Sequence, residues 1–474
     1  VNVPSGVLAL RAKQQEGPLA RVRLWDGSTP WLVTRYAEQR ALLADPRVSA
    51  DISRPGYPSS APVNGSSTVS FILMDDPEHA RLRRMVTAPF AIKRVEALRP
   101  AVQKIVDELI DDMLAGPKPV DLVEAFALPV PSLVICELLG VPYSDHDFFQ
   151  DNSKTIIKRD ASPEQRMAAL GHLAGYLDNL LDEKLASPGD DMLSRLTERI
   201  KTGELSRREA AQMGVLLLIA GHETTANMIA LGTLALLENP DQLALLRDTD
   251  DEKLVVSAVE ELLRYLHITH NGRRRVALED IEIAGQLIRA GEGLIMANDI
   301  GNRDPDAFPD PDRLDIRRDA RHHVAFGFGV HQCLGQPLAR LELQIVYSTL
   351  YRRIPTLRLA TDLEQIPFKH DGSVYGVYEL PVTWWLFPRT ADRQRPRQPR
   401  GSHESDHRPG QVRRFRTVRG RRRGRVRSAR RGRHRRAAQP RPAGGAGRRR
   451  PARGGGLPGA GHPHRGVTSG PIQS

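Results

Sequence analysis

Apolar residues recur every three or four positions over 94–115, 164–187, 206–238, 252–266 and 334–353, with Pro and Gly between the runs. That spacing lays an apolar stripe along a helix, so the five segments predict amphipathic or buried helices. Alternating apolar and polar residues at Arg21–Trp25, Trp31–Thr34, Ile281–Ala284 and Glu379–Thr383 predict short strands. The expected fold class is therefore mainly α with small β-sheets. Residues 53–70, rich in Ser, Pro and Gly, predict a long loop of the kind spent on a lid or a binding surface. No internal repeat is visible. No uninterrupted apolar run approaches the roughly eighteen residues of a membrane span, and the opening VNVPSGVLALRAKQQEG lacks a basic region followed by an apolar one. Neither a membrane anchor nor a secretion signal is expected.

Charge divides the chain. After Trp384 the sequence carries 26 of the 69 basic residues, all arginine, but only three acidic ones, Asp392, Glu404 and Asp406. Removing that segment leaves 43 basic against 54 acidic residues, a net of −11, so the basic character of the whole belongs to its end. Residues 1–384 are expected to form the catalytic domain, and 385–474 a disordered Arg-, Gly- and Pro-rich tail foreign to the native coding sequence. Cys136 and Cys333 are too far apart in sequence to suggest a disulfide framework, which fits a reducing cytoplasm.

The most informative segment is FGFGVHQCLG, Phe326 to Gly335, followed by the helical pattern QPLARLELQIVYSTLYRRI. Gly327, Gly329 and Gly335 permit tight turns and close backbone approach, and Cys333 precedes a helix start that favours a thiolate. His331 lies two residues away. The pattern F-G-x-G-x-H-x-C-x-G resembles the haem-binding loop of the cytochrome P-450 family. The resemblance implies a triangular helical prism around a buried haem b (iron protoporphyrin IX), with Cys333 on the iron and Phe326, Gly327, His331 and Gly335 shaping the loop. A zinc site built from His322, His323, His331 and Cys333 is a weaker reading, because its spacing matches no common ligand set.

Three further elements follow in the order the family requires. In LLLIAGHETTANMIALGTLALL, Ala220 and Gly221 allow close backbone approach, while Glu223 and Thr224 interrupt an apolar helix. Such residues can loosen the helix ladder and open a polar route into an apolar cavity. The stretch resembles the family's oxygen-binding helix, with Thr224 as the hydroxyl and Glu223 as the acid that deliver protons. In AVEELLRY, Glu261 and Arg264 stand one helical turn apart. They resemble the family's E-x-x-R, whose later arginine partner is expected at Arg313. His79 and Arg83 in DDPEHARLRRMV resemble its H-x-x-x-R. Together with Arg275 they are expected on the haem propionates, although the neighbouring Arg273 and Arg274 leave that register open.

The resemblance covers roughly residues 15–384 and is closest to soluble actinobacterial enzymes. It implies a cytoplasmic, monomeric monooxygenase that inserts one atom of O2 into an apolar small molecule such as a terpenoid, steroid, macrolide or xenobiotic. Pocket residues are expected from 53–72, 140–180, the helix before Gly221, 266–271 and a turn near Tyr375. No nucleotide-binding glycine pattern follows a strand. Electrons are therefore expected from a small iron–sulfur ferredoxin and its NAD(P)H-dependent reductase, steered by basic residues such as Arg84 or Arg340.

Taken by itself, the tail RRFRTVRGRRRGRVRSARRGRHRR would bind nucleic acid. It lacks lysine and any recognisable module, and another origin accounts for it better, so no nucleic-acid partner is expected. A TGA stop differs by one base from the TGG of Trp385. Shifting the frame by one base fixes the first and third letters of most new codons. His403 to Gly420 can then encode MRVTIDPDKCVGSGQCV, Gly432 to Gln439 can encode DGIVVLL, and Leu457 to Gly466 can encode CPVRAIRIE. These resemble, in order, the start, middle and last cysteine segment of a small ferredoxin whose cysteines hold an iron–sulfur cluster. As translated, the tail has too few apolar residues to fold. Sequencing the DNA is expected to find the +1 frame open from a start codon at His403, and a chain ending at Trp384 is expected to keep full haem content. Stop codons in that frame, or a shortened chain that loses haem, would contradict the assignment.

Overall fold

The computed structural model describes residues 5–59, 71–157, 161–269, 272–370 and 374–385. Val1, residues 60–70 of the predicted loop and nearly all of the basic tail thus lie outside the described residues. The helices are α1 (Ser5–Glu16), α2 (Tyr36–Ala44), α3 (Glu78–Thr87), α4 (Ile92–Ala97), α5 (Arg99–Ala115), α6 (Pro129–Leu139) and α7 (His146–Ile157). They continue as α8 (Pro163–Ala186), α9 (Met192–Lys201), α10 (Arg207–Leu237), α11 (Pro240–Arg247), α12 (Glu252–Leu266), α13 (Asn298–Gly301) and α14 (Gln336–Arg353). The strands are β1 (Leu19–Arg21), β2 (Trp31–Val33), β3 (Val48–Ser49), β4 (Val120–Asp121) and β5 (Arg273–Ala277). Then come β6 (Ile281–Ile283), β7 (Gln286–Ile288), β8 (Gly293–Met296), β9 (Arg358–Leu359) and β10 (Pro381–Thr383).

All five helical patterns form helices. The first is divided into α4 and α5 at Leu98, because Pro100 sits in the first turn of α5 and cannot continue a helix from before it. Capping boxes start α8 at Ser162 with Gln165 and α10 at Ser206 with Glu209. The predicted strand at Arg21–Trp25 is displaced: the ladder to β2 runs over Leu19–Arg21. Beyond it Val22 and Leu24 donate to Pro30 and Ser28. Pro30 has no N–H to return, so the ladder stops there and the chain turns.

A five-stranded sheet, ordered β1-β2-β8-β5-β3, flanks the helices, with β2 parallel to β8 and the other pairs antiparallel. Smaller sheets join β4-β10-β9 and β6-β7. The core centres on α10, where every residue from Thr225 to Leu236 is buried, as expected of a helix that is apolar on all sides. Among the described residues α10 alone is long and apolar enough to cross a bilayer, and 61% of its apolar window is buried within the protein. It meets α6, α8, α9, α12 and α14. Tyr347 of α14 donates to the Met228 carbonyl at 2.5 Å, beside Gly232, where any side chain would overlap its hydroxyl.

The E-x-x-R pair on α12 is wholly buried. Arg264 donates Nε to Glu261 Oε2 at 2.7 Å and a terminal nitrogen to Oε1 at 2.9 Å. Its other terminal nitrogen reaches the carbonyls of Asn302 and Pro311, both at 2.9 Å. The arginine from the meander is Arg318 and not Arg313. Arg318 Nε donates to Glu261 Oε1 at 3.1 Å, and its terminal nitrogens bind the carbonyls of Pro309, Asp310 and Arg313. Arg313 is exposed, because a turn closed by its own N–H to Asp310 aims it away from α12. The lock also reaches the cysteine loop, since the Asn302 side-chain oxygen accepts from the Val324 N–H at 2.8 Å. A fully buried carboxylate that loses one of its two guanidinium partners is strongly destabilised, by about 3–5 kcal/mol. Arg318→Met is therefore expected to lower the thermal midpoint sharply, whereas Arg313→Met should change stability by less than about 0.5 kcal/mol. Equal losses in the two variants, measured by thermal unfolding, would contradict this assignment.

Candidate active site

The loop from Val324 to Gly335 is shaped by backbone bonds. The Gly327 N–H donates to Val324, that of Gln332 to Gly329, and that of Cys333 to Phe326 at 2.8 Å, so the cysteine is tied to the start of its own motif. Gly327 and Gly329 hold φ of 72° and 73°, the left-handed region that other residues rarely enter. A side chain would also overlap Arg273 at the first position and the Leu43 carbonyl at the second. α14 starts after Gly335, which brings the helix N-terminus beneath the sulfur. Cys333 is exposed, yet enough protein lies around it that desolvation pushes its thiol up. Arg273 opposes that most strongly, followed by the Gly335 N–H, Arg83 and Arg340. The other cysteine, Cys136, lies buried in α6 with no such cation, and burial pushes its thiol up to about 12.

The predicted haem-side residues gather beside this loop. His79 is buried on α3, and its ring lies 4.1 Å from that of His331. Its Nδ1 is 3.0 Å from Asp76, while its Nε2 has no protein partner. Burial, aided by Arg275, pushes His331 down to about 3, and its Nδ1 is also unpartnered. Arg83 donates to the Gln332 carbonyl at 2.7 Å, next to Cys333. On β5 the strand alternation puts Arg273 and Arg275 on one face, with Arg274 on the other. Arg275 is buried near His331, and burial pushes it down to about 10. Arg273, one of the alternatives the sequence left open, has a charge that acts on Cys333 and an Nε that, like that of Arg274, lacks an acceptor. Buried N–H groups rarely stay unpaired. Orphaned nitrogens on His79, His331 and Arg273 are the partners that two carboxylates would satisfy, so the residues present fit a haem with its propionates.

On α10, Val215, Leu216, Ile219, Glu223 and Thr224 are partly accessible and Ala220 is exposed, so they form an accessible stripe. Gly221 faces the other way, where a Cβ would stand 3.2 Å from Ile135 of α6. The helix is continuous, so the expected opening of its ladder takes no form of a break. The Thr224 hydroxyl donates to the Ala220 carbonyl at 2.7 Å. Burial pushes the Glu223 carboxyl up, while Lys369 and Arg166 pull it down.

Other expectations are redirected. Arg340 is not a free steering charge: it grips Glu260 at 2.6 and 2.9 Å and lies over the Phe326 ring. Arg84 is exposed. His323 also reaches Glu260, and His322 stacks on Phe308. Among the described residues no group of three or more His, Cys, Asp or Glu is placed to hold a metal ion, which removes the zinc reading. A surface hollow of about 560 Å³ beside Arg35, Tyr36, Asp304 and His322 contains none of the residues around Cys333. Of the expected pocket segments, residues 60–70, 158–160 and 270–271 lie outside the described residues.

A sequence model of the cytochrome P-450 family matches residues 189–356. The chain is 61% identical over 386 residues to the cytochrome P-450 GfsF of Streptomyces halstedii, covering 80% of this chain and 92% of that one. The crystal structure of GfsF superposes with a TM-score of 0.78 at 60% identity, over 79% of this chain and 95% of the other. Pentalenic acid synthase of Streptomyces avermitilis is 50% identical, over 77% of this chain and 91% of its own. A mycinamicin VIII methyl hydroxylase of Micromonospora griseorubida, crystallised with mycinamicin VIII, superposes with a TM-score of 0.73 at 43% identity, over 81% and 97%.

Proposed function

The chain belongs to the cytochrome P-450 family of haem b monooxygenases, and from that premise we propose that Cys333 is the iron ligand, that Glu223 and Thr224 deliver protons, and that a small ferredoxin supplies electrons. The observation that carries this reading is the arrangement around Cys333. Cys333 draws on the charges of Arg273 and Arg83 and on the Gly335 N–H at a helix start, and the unpaired nitrogens of His79 and His331 lie together beside its loop. When bound, haem supplies the activation of O2, one atom of which enters the substrate while the other leaves as water, with two electrons and two protons consumed.

The protein's own part is positional. Arg273, Arg83 and the Gly335 N–H favour the charged sulfur, while His79, His331, Arg275 and the unpaired Nε of Arg273 would hold the carboxylates. Ala220 keeps the accessible face of α10 slim where small molecules must approach, and Gly221 lets α10 lie close against Ile135 of α6. Thr224 holds its proton toward the Ala220 carbonyl and can release that bond to turn toward the site. Glu223 lies partly buried one residue away, with a raised affinity for the proton it would pass on.

The substrate in this reading is an apolar small molecule of the terpenoid, steroid or macrolide class. Two relatives support it, one named for pentalenic acid and one crystallised with mycinamicin VIII. The small ferredoxin, with an NAD(P)H-dependent reductase, is supported by the cysteine segments that the +1 frame of the tail can encode. Residues 1–384 are the catalytic domain in this proposal. The enzyme acts as a cytoplasmic monomer, and neither cysteine is in a disulfide.

Thr224→Ala is expected to bind haem and substrate as the parent does. Product formed per NADPH consumed should fall on the order of tenfold or more, since a positioned proton donor contributes about 10²–10⁴-fold. The measurement uses whichever terpenoid, steroid or macrolide first shifts the haem spectrum. Equal coupling in the variant and the parent would exclude the hydroxyl from proton delivery.

A further inference from the structure

A lysine from the far end of the chain meets the acid on α10. Lys369 is 6% exposed, among the described residues an unusual position for an ammonium group, which must find acceptors when taken from water. Its Nζ donates to Asn227 Oδ1 at 3.1 Å. The same amide donates from Nδ2 to the Glu223 carbonyl at 2.8 Å, one turn back along α10. An ammonium on one side and a carbonyl on the other leave Asn227 a single orientation. The chain around Lys369 is fixed as well: its N–H donates to Gly376 at 2.9 Å, and Phe368 bridges Val377. Gly376 presses so closely on α10 that any side chain there would overlap the Asn227 amide oxygen.

Electrostatics run through the same contacts. Lys369 is the first of the charges that pull Glu223 down against burial, followed by Arg166 from α8. Glu223 in turn holds Lys369 up against its own burial. His222, the remaining titratable neighbour on α10, is held to about 4 by burial, with Leu128 opposing and Lys369 adding, and so is neutral near pH 7.

We infer that Lys369 is a positioning residue for proton delivery, which fixes α10 at Glu223 through Asn227 and the Glu223 carbonyl and, as the buried cation beside that turn, eases ionisation of the Glu223 carboxyl between proton transfers. The inference rests on the reading of Glu223 as the proton-delivering acid. A carboxyl that stays protonated at working pH cannot accept the next proton from solvent, so a neighbouring cation sets the lower pH limit of the relay. Lys369 contributes that cation from a segment about 145 residues further along the chain, roughly the Glu223-to-Lys369 separation in sequence.

The test uses the haem-loaded full chain as wild type, Lys369→Met, Lys369→Arg and Glu223→Gln. The infrared band of the protonated Glu223 carboxyl, identified by its loss in Glu223→Gln, is titrated with pH. In parallel, peroxide released per NADPH consumed is measured with ferredoxin and reductase and no added substrate. Lys369→Met is expected to move the Glu223 midpoint upward by about one pH unit, the lower end of what a neighbouring opposite charge ordinarily contributes. The acid limb of the peroxide ratio should move with it, and Lys369→Arg should restore both. An unchanged midpoint in Lys369→Met would overturn the inference, while a raised peroxide ratio in Glu223→Gln would leave the role of Glu223 standing. A shifted midpoint with the peroxide ratio unaltered in both Lys369→Met and Glu223→Gln would overturn that role and the inference together.

Discussion

The sulfur of Cys333 is partly withdrawn from water by the protein around it, and a sulfur there carries negative charge only where fixed positive groups compensate for lost water. Much of the surrounding structure serves that condition. β5 brings Arg273 within range of the sulfur, α3 contributes Arg83, and α14 starts at Gly335 so that its N-terminal dipole lies beneath it. None of these groups is near Cys333 in sequence except Gly335, so the thiolate depends on the fold being complete. The E-x-x-R lock connects the two. Arg264 holds the Asn302 backbone, and the Asn302 side chain holds Val324, where the cysteine loop begins.

The opposite wall is set by helix packing. α14 runs on from the cysteine loop and is fastened to α10 by the Tyr347 bond to Met228, at a point where only Gly232 leaves room for the hydroxyl. The stripe carrying Ala220 and Thr224 lies further toward the N-terminus of the same helix. A continuous α10, packed on the helix that follows the cysteine loop, therefore relates Glu223 and Thr224 to that loop.

Much of this was legible in the sequence where the chemistry is local. The glycines of FGFGVHQCLG specify left-handed turns, the five apolar periodicities became helices, and the Glu261–Arg264 spacing is one helical turn. Failures occurred where partners come from elsewhere in the chain. Arg313 and Arg318 are equally plausible in sequence, and only the turn at Asp310 decides which one reaches Glu261. Arg273 and Arg275 share a strand face, which alternation could have suggested once β5 was recognised. Nothing local marks Lys369 or Asn227, because their relation exists only after the Lys369–Gly376 segment folds onto α10. At Arg21–Trp25 the alternation was real, but Pro30 on the facing segment could not complete the ladder.

In the proposed reading the sulfur of Cys333 is a thiolate bound to iron, and the rest of the chemistry depends on that bond. The absorption spectrum of the reduced protein with carbon monoxide reads that bond directly. The account predicts the strongly red-shifted Soret band of thiolate ligation in the wild type and in Cys136→Ala, and its loss in Cys333→His. A wild-type spectrum with the band position of a histidine-ligated haem would contradict it.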